Sequence, residues 1–157
     1  MKEQQTKIQE IKIYERIKAE SGFSALIKEA AGEPSRLTSL TITTDDEKNI
    51  IDGYILSAIN ECIIAINRSL STCYLTEETE KIGNTEFRIY IFNLKLPENY
   101  PEEMLTILNG ILMNYISSSC LQQWYMLVKA EDANIYAAKA QSSMTQLRET
   151  LLLRSRP

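Results

Sequence analysis

The chain has 157 residues, 44% hydrophobic and 24% charged, with 17 Lys and Arg against 21 Asp and Glu for a formal net charge of −4. This length points to one domain able to bury roughly two-thirds of its unfolded surface, and the composition is not that of a disordered chain. The acidic balance argues against a dedicated nucleic-acid binder, which carries a basic excess.

There is no histidine. The commonest general base, the Ser–His and Cys–His nucleophile pairs and the commonest metal ligand are therefore missing. Cys62, Cys73 and Cys120 are widely spaced and form no C-x-x-C, so reduced, mostly buried thiols in a cytosolic setting are expected. Met1-Lys2-Glu3-Gln4-Gln5 lacks the apolar core of a signal peptide. No uninterrupted apolar run approaches the ~18 residues of a membrane span, so no membrane partner is expected.

In chain order, residues 2–20 read as a charged helix with a narrow stripe of Ile8, Ile11, Tyr14 and Ile17. Ser21-Gly22 is expected to break it. A short helix over residues 24–31 would stop at Gly32, with Pro34 close behind. This makes an N-terminal helical arm that, with the extended segment after it, spans residues 1–43. The Thr-rich residues 37–44 suit a short edge strand. Thr44-Asp45-Asp46-Glu47 is a capping pattern, which explains all four residues better than a metal site does. The helix that follows should bury Ile51, Ile55, Ala58, Ile59, Cys62, Ile63, Ile66 and Leu70 and reach about Ser71.

Residues 73–96 read as a β-hairpin about Gly83-Asn84. Its second strand is apolar on both faces, with Phe87, Ile89 and Ile91 on one and Tyr90, Phe92, Leu94 and Leu96 on the other. A hairpin on a helical core needs only one apolar face. The other face is expected to meet either more of the same chain or a neighbouring subunit.

Pro97-Glu98-Asn99-Tyr100-Pro101-Glu102-Glu103 opens a long helix to Val128, with a stripe that includes Trp124 and Leu127. Gly110 inside it is costly unless a neighbour packs closely there. A last helix from about Glu131 should bury Ile135, Tyr136, Ala140, Met144, Leu147 and Leu151 as an antiparallel neighbour. The fold class expected is mainly α: a helical bundle with an inserted β-hairpin and an N-terminal helical arm.

Sites of chemistry are scarce. No glycine-rich phosphate loop or nucleophile elbow occurs, and the Ser117-Ser118-Ser119 run reads as a polar helix face or a close-packing stripe. No catalytic, metal-binding or cofactor-binding residue is assigned, no cofactor is expected, and an enzyme is not expected. Glu77, Glu78 and Glu80 cluster on the first hairpin strand, and Arg148, Arg154 and Arg156 cluster near the last residues. Trp124 and Tyr125 carry polar handles that suit an interface, although Trp124 also suits a core.

Several elements of the second half carry a resemblance. They are Leu96-Pro97-Glu98-Asn99-Tyr100 before a helix, Gln123-Trp124-Tyr125 near its end, Ala130-Glu131-Asp132-Ala133 with Tyr136, and Leu147 and Leu151 before Arg154-Ser155-Arg156-Pro157. Residues 44–157 resemble small structural proteins of tailed bacteriophages and prophages of Bacteroides-type hosts, including crAss-like phages. These are similar in turn to head–tail connector, or adaptor, ring proteins. One departure is the tail, which is often richer in basic residues in that family.

The resemblance implies a non-enzymatic virion protein, a homo-oligomeric ring beneath the portal, most often twelve-fold, through which DNA passes. It would assemble in the host cytoplasm and contact the portal and neighbouring tail or connector proteins. In that setting Trp124, Tyr125, Arg148, Arg154, Arg156 and Pro157 become portal or partner contacts. Tyr90, Phe92, Leu94, Ile8, Ile11, Tyr14 and Ile17 become subunit contacts, and Glu77, Glu78 and Glu80 candidates for a DNA-repelling lumen. The alternative expectation is a small dimeric helical chaperone or regulator, with the arm as its partner-binding helix.

Overall fold

The computed structural model describes residues 2–30, 45–69, 71–83 and 85–152. Their elements are β1 (Lys2–Gln9), α1 (Glu10–Ala30), α2 (Asp45–Asn67), β2 (Thr72–Ile82), β3 (Thr85–Leu96), α3 (Glu103–Val128) and α4 (Ala130–Leu152). The strands form an antiparallel sheet in the order β1-β3-β2. The described fold is therefore mixed α and β, not a helical bundle with a lone hairpin.

The overturned element is the N-terminal arm. Residues 2–9 are a strand, paired antiparallel to β3 from Lys2↔Leu96 to Gln9↔Ile89. Thr6 and Ile8 point into the core at the period of two expected of a strand. The helix begins only at Glu10, and its buried residues include Glu10, Ile13, Tyr14, Ile17 and Ser21. Ile8 and Ile11 matched the helical spacing by coincidence, because one lies on the strand. Nor does the chain break at Ser21-Gly22. Ser21 is fully buried and its hydroxyl donates to the Lys18 carbonyl, 3.3 Å away, inside a helix that continues to Ala30.

The same pairing accounts for the two-faced strand. β3 is the central strand, so its outer face is flanked on both sides by strands of the same chain. Ile91 lies between Lys7 of β1 and Thr76 of β2 in the register and is 5% exposed. Lys7 Nζ reaches Glu78 Oε2 at 3.8 Å, so these two side chains bridge β1 and β2 over the central strand. The inner face carries Tyr90, Phe92, Leu94 and Leu96, all buried against the helices.

One helix is the hub. α3 contacts β1, α1, α2 and α4, and α4 packs mostly on α3. This central place explains why α3 is buried around much of its girth, from Leu108 to Tyr125. On α4 the buried positions Ala133, Tyr136, Ala140, Ser143, Leu147 and Thr150 recur at spacings of three and four, the seam of an antiparallel helix pair. Tyr125 and Tyr136 stack across it with ring centroids 5.2 Å apart. Ile135 and Leu127, expected inside, stand more than half exposed at the turn between the two helices.

Other boundaries shift. α2 ends at Asn67, short of Ser71. Pro97–Tyr100 is a turn closed by Tyr100 N–H to the Pro97 carbonyl at 3.0 Å, so α3 starts at Glu103, the last residue of the expected opening stretch. Gly110 is exposed and a Cβ there would meet nothing within 4 Å, so it marks no close approach. The hairpin matches expectation, with Gly83 at φ 63° in the turn. The expected strand at residues 37–44, the helix stop at Gly32, the Thr44 cap and Leu70 lie outside the described residues. Two segments, Asn49–Asn67 and Glu103–Val128, are long and apolar enough to cross a membrane. Each also lays a buried face on the core, which demands the same composition.

Candidate functional site

Polar side chains first set how the surface is presented. Three tyrosine hydroxyls donate to carboxylates on other elements: Tyr14 to Asp52, Tyr90 to Glu10, and Tyr115 to Glu61. They tie α1 to α2, β3 to α1 and α3 to α2. Burial and then the neighbouring carboxylate hold all three phenols protonated well above their ordinary range. Glu10 is itself buried, and it sits in the first turn of α1, where the helix dipole favours an acid.

Asn93 crosses the sheet. Its Oδ1 accepts from Gln5 Nε2 at 2.8 Å, and its Nδ2 donates to Thr76 Oγ1 at 2.9 Å, so one side chain links all three strands. Both outer strands receive an asparagine side chain. Asn109 Nδ2 donates to the Lys7 carbonyl of β1 at 2.9 Å. Asn67 exchanges two hydrogen bonds with the Cys73 backbone of β2, at 2.8 and 3.1 Å. An amide pairing with edge backbone occupies groups that would otherwise template a foreign strand.

An open groove of about 550 Å³ lies between α2, α3 and α4. Ile64 and Ala65 of α2 and Met144 of α4 form its apolar part, with Ile64 half exposed. Arg68 follows α2 and Arg148 stands on α4, both exposed, and Tyr115 and Glu61 join the wall. Arg148 is close enough to oppose the upward shift of the Tyr115 phenol. Among the described residues neither arginine has an ion-pair partner. The groove offers an apolar centre, two fork-shaped cations and one carboxylate already engaged by Tyr115, which is the make-up of a protein-contact surface.

The residues singled out from sequence separate sharply. Of the partner-contact set, Arg148 is in this groove, while Trp124 and Tyr125 are buried in the chain's own core. Arg154, Arg156 and Pro157 lie outside the described residues. Of the subunit-contact set, Tyr90, Phe92, Leu94, Ile8, Tyr14 and Ile17 are buried in the same core, and Ile11 is half-buried. The side chains are spent inside the molecule because β1 completes the sheet and α1 lies across it. Glu77 and Glu78 are exposed on the outer strand β2 and Glu80 is half-buried there, with Glu78 paired to Lys7. Sequence reasoning missed Ile64, Arg68 and Tyr115. The signal was present at Ile64, an apolar residue about half a turn from the centre of the apolar stripe of α2.

The cysteines are inert. Cys62, Cys73 and Cys120 are free and buried, and burial raises each thiol, Cys73 to about 12. No protein-family model matches the chain, and neither a curated protein nor a solved structure matches it.

Proposed function

We propose that the chain is a non-enzymatic assembly protein of a tailed-phage virion, a subunit of the head–tail connector ring between portal and tail. The reading joins the resemblance of residues 44–157 to one observation, the groove that half-exposed Ile64 lines together with Arg68 and Arg148. An apolar centre with a charged rim is how protein interfaces are built, and arginine is enriched at their hot spots. Among the described residues that the resemblance marks as partner contacts, Arg148 is exposed whereas Trp124 and Tyr125 are buried. The exposed Met126, Leu127 and Ile135 at the α3–α4 turn add a second apolar patch for a neighbour in a ring.

In this reading the groove docks the portal or an adjacent subunit. The outer strand β2, with Glu77, Glu78 and Glu80, faces the path of DNA and repels its phosphates. A chaperone using residues 2–20 as a free partner helix is disfavoured, because Ile8, Ile13 and Ile17 are fully engaged in the core.

Negative-stain electron microscopy of the protein alone, and mixed with the portal protein of the same genome, tests the proposal. Closed rings, or a collar added to the portal, are expected, and Arg148→Glu should remove them while the chain stays folded. A dimer or monomer that ignores the portal overturns the reading.

A further inference from the structure

A second cleft, of about 400 Å³, opens where α1, α3 and α4 meet, and every residue lining it is polar or charged. Such a lining is unusual at a three-helix junction, where apolar packing is the ordinary solution. Three of its serines, Ser117, Ser118 and Ser143, are more than nine-tenths buried. Ser117 is 2% exposed, and its Oγ is buried with no hydrogen-bond partner among the described residues. A buried hydroxyl without a partner is costly, and natural folds carry few of them.

Two cations border the same space. Arg16 of α1 is oriented by a bond from its Nη1 to Asn114 Oδ1 at 2.6 Å. Lys139 of α4 holds its Nζ 5.1 Å from the centre of the Tyr136 ring. Glu20 supplies the single negative charge of the lining, so the cleft carries one net positive charge. Guanidinium, ammonium and hydroxyl are all donors to an oxygen anion, and none of them needs to be brought in from elsewhere.

The geometry points to this cleft as a binding site for a singly charged oxyanion, a carboxylate or a phosphodiester, received by Arg16, Lys139 and the Ser117 hydroxyl. The site stands apart from the docking groove and does not depend on the connector reading. The bound oxygen takes the hydrogen bond that Ser117 lacks, and the ligand charge balances the local excess. Glu20, on the turn after Arg16, disfavours a doubly charged anion.

Nuclear magnetic resonance titration of the intact protein tests this, using sodium acetate in one series and sodium dimethyl phosphate in another, with ionic strength held constant by sodium chloride. Saturable shifts are expected at the amides of Arg16, Ser117, Ser118 and Lys139. Saturation by acetate alone assigns a carboxylate, by dimethyl phosphate alone a phosphodiester, and by both the shared oxyanion chemistry. Lys139→Gln should weaken binding about tenfold, the scale of a charge-assisted bond, and Ser117→Ala about fivefold. Without anion, Ser117→Ala should melt at the same temperature as the parent or higher, because it deletes an unpaired buried group. No saturable shift with either salt overturns the site, as does unchanged affinity in Lys139→Gln. A lower melting temperature for anion-free Ser117→Ala also overturns it, because the hydroxyl then serves the fold itself.

Discussion

The α3–α4 pair and the β1–α1 segment both send fully buried side chains into one core, but they hold their shapes by different means. α3 and α4 carry their own pattern, with apolar or small residues at spacings of three and four and a short link that sets them antiparallel. β1 carries almost none: Lys-Glu-Gln-Gln-Thr-Lys-Ile-Gln has one large apolar residue in eight. It is a strand because β3 presents a free side and a second apolar face beside it. A helix makes its hydrogen bonds within itself, whereas an edge strand borrows them from a partner that sits, here, eighty or more residues away. The difference teaches that a polar N-terminal segment can be as integral to a core as its most hydrophobic helix.

The most severe test of that comparison is Ile8→Asp. It places an unpaired charge where the side chain is 1% exposed, and it should cost at least about 4 kcal/mol. Urea unfolding followed by circular dichroism should show the whole chain destabilised, α3–α4 included. If β1 is a dispensable arm, the transition will not move.

Alkaline pH probes both regions together. Buried thiols and phenols ionise at higher pH in the folded chain than in the unfolded one. The unfolded chain therefore releases its protons first, from the ordinary thiol and phenol values of about 9 and 10 upward. Stability from these groups is fully present below about pH 9 and is lost as pH rises beyond it. Denaturant midpoints measured from pH 7 to pH 11 should fall only in the upper half of that range.

Smaller changes sharpen the comparison residue by residue. Tyr90→Phe leaves the buried Glu10 without its 3.1 Å donor at the junction of β1 and α1, and should cost about 1–3 kcal/mol in the same urea assay. Gly110→Ala should do the reverse. The position is exposed, helical and open, so the substitution should stabilise by about 0.5–1 kcal/mol, read as a higher melting temperature.

Legibility followed the same divide within the candidate sites. The hairpin was readable from Gly83-Asn84 and strand alternation, and Arg148 from its helix. Tyr90, Phe92 and Leu94 were readable as apolar, yet whether they met a neighbour or their own chain depended on β1. Leu127 and Ile135 fit the stripes of α3 and α4 by spacing, yet both stand exposed. The stripes end at Tyr125 and begin at Ala133, so the helices diverge from shared cover at their turn. The cleft at Ser117 was invisible because its residues come from three helices that pattern alone does not bring together.

By itself, the sequence determined the helices from residue 45 onward, the hairpin and its turn, the buried thiols and the absence of histidine chemistry, because each rests on local periodicity, turn geometry or residue type. Only the tertiary structure decided that residues 2–9 form a strand, that β3 is central, and that Arg68 and Arg148 share a groove while Arg16 and Lys139 share a cleft. Each of those is a pairing between distant segments, and its energy comes from surface and hydrogen bonds that exist only once both partners are in place.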